Sequence, residues 1–232
     1  MAEFQLTDAE WEAIRLSLQV AIVGVAGSLP FGIAIAWLLA RRTFPGKTLL
    51  DGIVHIPLVV PPVVVGYGLL VLLGRRGPVG AWLYEHFDIT LIFTWKGAAI
   101  ASAVMGFPLL VRALRLSLEA VDRKLEAAAR TLGAGPLDVF ATVTMPLALP
   151  GLLVGIVLAF ARGLGEFGAT IIFVGNIPGE TRTIPIAIYT LTQDPEGDLA
   201  ALRLSIIAVI LALIALMLSE ILARRIDKRI RG

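Results

Sequence analysis

The feature that most limits what this chain can fold into is the length of its apolar runs. Leu16 to Leu39 carries no charged residue, and Leu204 to Leu222 is uninterrupted by glycine or proline. Either can cross about 30 Å of hydrocarbon, which takes roughly 20 helical residues. Further apolar stretches cover about 53–73, 97–113 and 147–174. With 57% hydrophobic and only 16% charged residues, the chain has more apolar surface than a water-soluble core can hide, so the excess must face lipid. The reading is an all-α integral membrane protein with about five transmembrane helices, taken as one transmembrane domain over residues 1–232.

Punctuation within the runs adds detail. Thr7-Asp8-Ala9-Glu10 has the pattern of a capping box, so a short amphipathic helix should lead into the first span. Gly24, Gly27, Pro30 and Gly32 interrupt that span, and small residues let neighbouring membrane helices approach closely. The second span contains Pro57, Pro61 and Pro62 and should be kinked. Trp82, Tyr84 and Trp95 suit an interface. The third span is short, and snorkelling by Arg112 and Arg115 would lengthen it. The fourth is apolar to Ala161, meets Arg162 and Glu166, and resumes to Val174; a short helix is expected over Thr183–Thr192. The first residues, with Glu3, Asp8, Glu10 and Glu12, do not resemble the basic start of a cleavable signal peptide.

Charge placement orients the chain. Five spans put the termini on opposite sides. With the C-terminus in the cytoplasm, 13 Lys/Arg lie there and six lie outside, leaving Arg162 in the membrane. The positive-inside rule therefore selects N-terminus out and C-terminus in. Net charge is only +2, which gives no argument for nucleic acid. There is no cysteine, so disulfides, thiolate metal sites and cysteine nucleophiles are excluded.

That orientation leaves residues 119–146 in the cytoplasm. Asp122 can cap a helix over Arg123–Leu132, Gly133 and Gly135 end it, and Pro136 with Asp138 starts another. Gly163-Leu164-Gly165-Glu166-Phe167-Gly168 fits G-x-G-x-x-G, but it lies inside a span with no preceding strand, so close helix packing or a broken helix explains it better than a dinucleotide. Arg162 and Glu166 stand four apart. Ionisable groups in a span face a bundle interior or a cavity, so the pair either fixes packing or lies beside a translocation path as part of a gate. His55 and His86 lack a second histidine at metal spacing, which favours ordinary polar contacts. H-E-x-x-H, G-x-S-x-G and the Walker A loop are all missing. No catalytic residue, cofactor or metal site is expected on this chain. If ATP drives it, another subunit binds the nucleotide.

Glu126-Ala127-Ala128-Ala129-Arg130-Thr131-Leu132-Gly133-Ala134, nine residues after Gly133, then Val143-x-Met145-Pro146 resembles the cytoplasmic coupling motif of ABC-importer permeases, EAA-x3-G-x9-I-x-LP. Aligned on Gly133, the motif's glutamate falls on Ala127, and Glu126 stands one residue earlier. Pro57 to Tyr67, Gly74-Arg75-Arg76-Gly77, Phe107 to Ala113, Leu164 to Thr170 and Gly175 to Pro185 are similar to signatures of molybdate permeases. The resemblance covers nearly the whole chain. It implies a type I ABC importer permease bundle with a cytoplasmic coupling-helix loop, importing molybdate across the bacterial inner membrane by alternating access. It also implies a homodimer of this subunit, two cytoplasmic ATPase subunits that bind ATP and Mg, and a periplasmic molybdate-binding protein. A sulfate or tungstate permease of the same fold is the alternative within the family. A membrane enzyme lacks its paired catalytic groups, and a passive channel or scaffold has no need of a soluble helix pair at this spacing.

Overall fold

The structure is a computed structural model that describes residues 6–231. Glu3 lies outside them, and so do the side chains of Arg224, Lys228, Arg229 and Arg231 in the basic C-terminal cluster. Among the described residues all regular structure is helical.

Helix α1 runs Asp8–Arg41, so the amphipathic start and the first span are one helix. Its capping box is complete. The Thr7 N–H donates to Glu10 Oε2 at 2.7 Å, and the Glu10 N–H donates to Thr7 Oγ1 at 3.3 Å. The same carboxylate accepts a fork from Arg203, Nε to Oε1 at 2.9 Å and NH2 to Oε2 at 2.7 Å, tying α1 to the last helix.

The stretch expected as one kinked span over 53–73 is two helices, α2 (Lys47–Val59) and α3 (Pro62–Leu73), bent by 115°. Pro61 pushes Val60 out of the helical region, to φ −78° and ψ 139°. Pro62, whose missing N–H costs nothing at a first helical position, then restarts the chain in a new direction. A short helix α4 (Pro78–Phe87) leads to α5 (Trp95–Ala120). At 26 residues α5 is about 39 Å long by the helical rise, so the third span is not short. Arg115, rather than simply snorkelling, bonds Asp51 of α2 at 2.9 Å and Glu119 at 2.8 Å.

Helices α6 (Arg123–Thr131) and α7 (Pro136–Val139) form the polar interruption, and a π turn over Phe140–Thr144 joins α7 to α8 (Met145–Leu164). The expected fourth span, 147–174, also breaks: α8 stops at Leu164 and α9 (Gly168–Val174) follows. Then come α10 (Ile184–Leu191) and α11 (Asp198–Arg231). Among the described residues four helices are long and apolar enough to cross a membrane, and five segments qualify if the bent α2–α3 pair counts as one.

Helix α5 is central, packed most extensively on α1 and α8. One core, around Leu39, Val111, Leu114 and Leu118, sits at the end that carries α6; another, around Val20, Met105 and Phe173, sits toward the opposite end. Small residues set the helix spacing. A Cβ at Gly24 would lie 2.8 Å from the Ala99 carbonyl oxygen, and one at Gly106 2.9 Å from that of Ala159. The outer faces are apolar too, with Leu213, Ile214 and Met217 of α11 exposed, as lipid contact requires.

Candidate coupling site and membrane ion pair

The polar interruption is closed at every joint by local hydrogen bonds. Asp122 caps α6, its carboxylate accepting from the Lys124 N–H at 2.9 Å. At the other end Gly133 adopts φ +91°, a left-handed conformation that favours glycine. The Gly133 N–H bonds the Arg130 carbonyl at 3.0 Å, and the Ala134 N–H bonds that of Ala129 at 3.1 Å. Those two bonds are a Schellman termination. Asp138 then caps α7 through the Gly135 N–H at 3.2 Å.

The π turn has a cause in the sequence. Pro146 has no N–H to offer the carbonyl of Thr142, and its ring would crowd that carbonyl in an α-helix. The ladder widens before it, and the Met145 N–H bonds back to the Phe140 carbonyl. Met145-Pro146 thus encodes a bulge at the root of α8. The bulge turns the Thr144 hydroxyl inward, where it donates to Glu126 Oε1 at 2.8 Å.

Glu126 also receives Arg41 at 2.8 Å, with the Arg41 and Glu126 side chains only 8% and 12% exposed. It therefore points into the protein and braces α6 against the end of α1 and the root of α8. One residue is about 100° around a helix, so the shift of the glutamate by one position exchanges an outward for an inward direction. Ala127, Ala128, Arg130, Thr131 and Gly133 are exposed, Ala129 and Ala134 are half-buried, and Leu132 and Leu137 are 89% and 82% exposed. Two leucines held that far into the surroundings, on a rigid polar frame, form a surface suited to a partner rather than to water.

Arg162 and Glu166 do meet, with Arg162 NH1 2.5 Å from Glu166 Oε2. The pair does not sit on a continuous helix, because Gly165 ends α8. Glu166 is buried, and its other oxygen accepts the Ala169 N–H at 2.7 Å. Its negative charge therefore sits over the first turn of α9 as well as beside the guanidinium. The glycines of the G-x-G-x-x-G pattern act in packing: a Cβ at Gly163 would meet Ser102, and one at Gly168 would lie 2.8 Å from Pro62 of α3.

Two groups escaped the sequence reading. Arg41 and Thr144 hold Glu126 from distant points of the chain, and nothing local announces them. The 175–185 segment is a knit loop: Arg182 donates to Asn176 at 2.7 Å, Asn176 to Thr190 at 2.9 Å, and Glu180 accepts the Trp95 N–H at 3.4 Å. His55 and His86 each place Nδ1 near a backbone carbonyl four residues back, at 2.8 and 3.0 Å.

The helical bundle, broken twice and with a capped polar frame at one end, is that of a membrane transport component. Residues 28–232 match the family model described as the inner membrane component of binding-protein-dependent transport systems, and the chain belongs to that family. Within it, the chain is 65% identical over 219 residues to the molybdenum transport system permease protein ModB of Escherichia coli K12, covering 94% of this chain and 96% of that one. It is 56% identical to ModB of Haemophilus influenzae over 95% of this chain and 96% of the relative. The sulfate transport system permease CysW of Synechocystis is 37% identical over 92% of this chain and 76% of that one. Among solved structures, a bacterial ABC transporter for import of the acidic polysaccharide alginate matches with a TM-score of 0.74 at 19% identity, over 95% of this chain and 80% of that one. The inward-facing MetNI methionine transporter matches with 0.69 at 17%, over 94% of both chains. The fold is that of the type I ABC importer permeases, and the protein is a multi-pass inner-membrane component.

Proposed function

We propose that this chain is the permease subunit of an ATP-driven molybdate importer. The observation that carries the reading is near-full-length similarity, at 65% and 56% identity, to two molybdenum transport system permeases, against 37% to a sulfate permease. Two copies would form the pathway, with two ATPase subunits holding ATP and Mg at the cytoplasmic side and a periplasmic binding protein delivering the anion. The orientation is N-terminus out and C-terminus in, supported by the excess of basic residues at the end that carries α6.

The coupling element is the outward face of residues 126–134 with Pro146 behind it. Leu132, Gly133 and the alanines offer the contact surface. Glu126 transmits rather than touches: pulled through Arg41 and Thr144, it makes α6 move with α1 and α8 as a unit. When ATP closes the ATPase dimer, the two frames approach and the bundle opens outward. Arg162 and Glu166 hold the break between α8 and α9, the point where a continuous helix could not bend.

Reconstituted with its ATPase subunits and cognate binding protein, the transporter should take up molybdate in preference to sulfate. Equal uptake of the two anions would overturn the molybdate reading in favour of the sulfate permease alternative.

A further inference from the structure

At the end that carries α6, a cavity of about 670 Å³ opens between α1 and the α6–α7 frame. Its two parts differ in chemistry. Pro30, Ile33, Ala34 and Trp37 of α1 form an apolar wall, at the spacing of one helix face. Arg41, Arg42, Arg123 and Arg130 surround the mouth, and Glu126 is the one acidic residue among the lining. Glu126 is already engaged by Arg41 and Thr144, so the mouth keeps a surplus of positive charge.

The arginines are not equivalent. The Arg41 side chain is only 8% exposed, and its terminal nitrogen holds Glu126 at 2.8 Å and the Val121 carbonyl at 3.4 Å, so it is committed to the brace. That leaves Arg42, Arg123 and Arg130, all exposed, to meet an anion in the cavity. Arg42 stands over the Trp37 ring at 5.5 Å, presenting its charge where the apolar wall ends.

The dimensions select the ligand. From Pro30 to Arg41 the helix rises about 16 Å, close to one leaflet of a 30 Å hydrocarbon layer. A free phosphate or molybdate would leave the apolar wall bare, and a soluble partner would have no reason to reach Pro30. We infer that this cavity binds an anionic phospholipid, its phosphate among the arginines and an acyl chain along Pro30–Trp37. The assignment to the cytoplasmic leaflet, whose lipids are anionic, rests on the proposed orientation; the binding itself does not. A lipid there would wedge α1 against the coupling frame and stiffen the brace at Glu126.

The test is native mass spectrometry of the intact transporter, purified with its ATPase subunits and measured without cargo or ATP, so that a failed transport assignment leaves it unaffected. The probes are phosphatidylglycerol, phosphatidylcholine with the same chains, and inorganic phosphate. Retention of phosphatidylglycerol over phosphatidylcholine is expected, falling roughly fivefold in Arg42→Gln and lost in Ala34→Trp, which fills the wall. Arg42 and Ala34 are exposed, so neither change disturbs the core. Equal retention of both lipids would overturn the inference. So would displacement of the lipid by inorganic phosphate, retention unchanged in both variants, or lipid bound by the permease alone but expelled when the ATPase is present.

Discussion

Two buried glutamates do similar chemistry at opposite scales. Glu126 and Glu166 each pair with one arginine, and each accepts a second hydrogen bond at an interruption of the helical ladder. Glu166 works locally: its arginine is four residues away, and its second donor is the N–H of the helix it starts. Glu126 works at long range, joining α6 to the end of α1 and the root of α8. The first kind of contact fixes a shape, and the second makes separate helices move together. The proposed transport cycle uses both, a fixed break between α8 and α9 and a frame that ties α6 to α1 and α8.

The largest effect should come from breaking the local contact. Glu166→Ala leaves Arg162 without its counter-charge and α9 without its cap, a loss of about 3 kcal/mol or more, read as a fall in folded, membrane-inserted protein. Exchanging the two residues sharpens the point. The charge-swapped protein keeps a pair, but arginine at 166 cannot accept the Ala169 N–H, so only part of the loss should return. Full recovery of expression would make the ion pair, and not the cap, the working contact. No recovery at all would refute pairing.

Breaking the long-range contact should cost less stability and more function. A double-mutant cycle with Glu126→Ala and Arg41→Ala should show a coupling energy of about 1–3 kcal/mol, measured by thermal unfolding in detergent. A cycle with no coupling would mean that the Arg41–Glu126 pair holds nothing. Thr144→Val should lose about 1 kcal/mol, since Arg41 still neutralises the carboxylate.

How far the two regions could be read from sequence follows the same division. Contacts made within one turn announce themselves: the Thr7–Glu10 box, the Asp122 cap, the left-handed Gly133 and the start at Pro136 were all legible, because each is set by residues a few positions apart. Arg162 and Glu166 were visible as neighbours. Their surroundings were not, since apolar residues continue to Val174 and conceal the break that Gly165 makes. Pro57, Pro61 and Pro62 foretold a bend but not 115°, which depends on how α3 packs against α9. The partners of Glu126 were beyond reach, because Arg41 looked like one more interfacial charge and Thr144 like one more position before a proline.

The smallest structural change offers the cleanest functional separation. No atom beyond its neighbours lies within 4 Å of a Cβ built at Gly133, so a side chain there meets only the cost of the left-handed backbone, about 1 kcal/mol. If Gly133 merely ends α6, then Gly133→Asn, which tolerates that backbone, should be silent, and Gly133→Ala should lose only that stability. The measurement that tests the coupling account most directly is ATP hydrolysis by the reconstituted Gly133→Asp transporter, stimulated by loaded binding protein, together with ATPase retained on purification. If residues 126–134 couple the two subunits, the variant should be a well-expressed, correctly inserted dimer that has lost its stimulation or its ATPase. A Gly133→Asp protein that keeps both at wild-type levels would contradict it, and would place the coupling surface elsewhere on the chain.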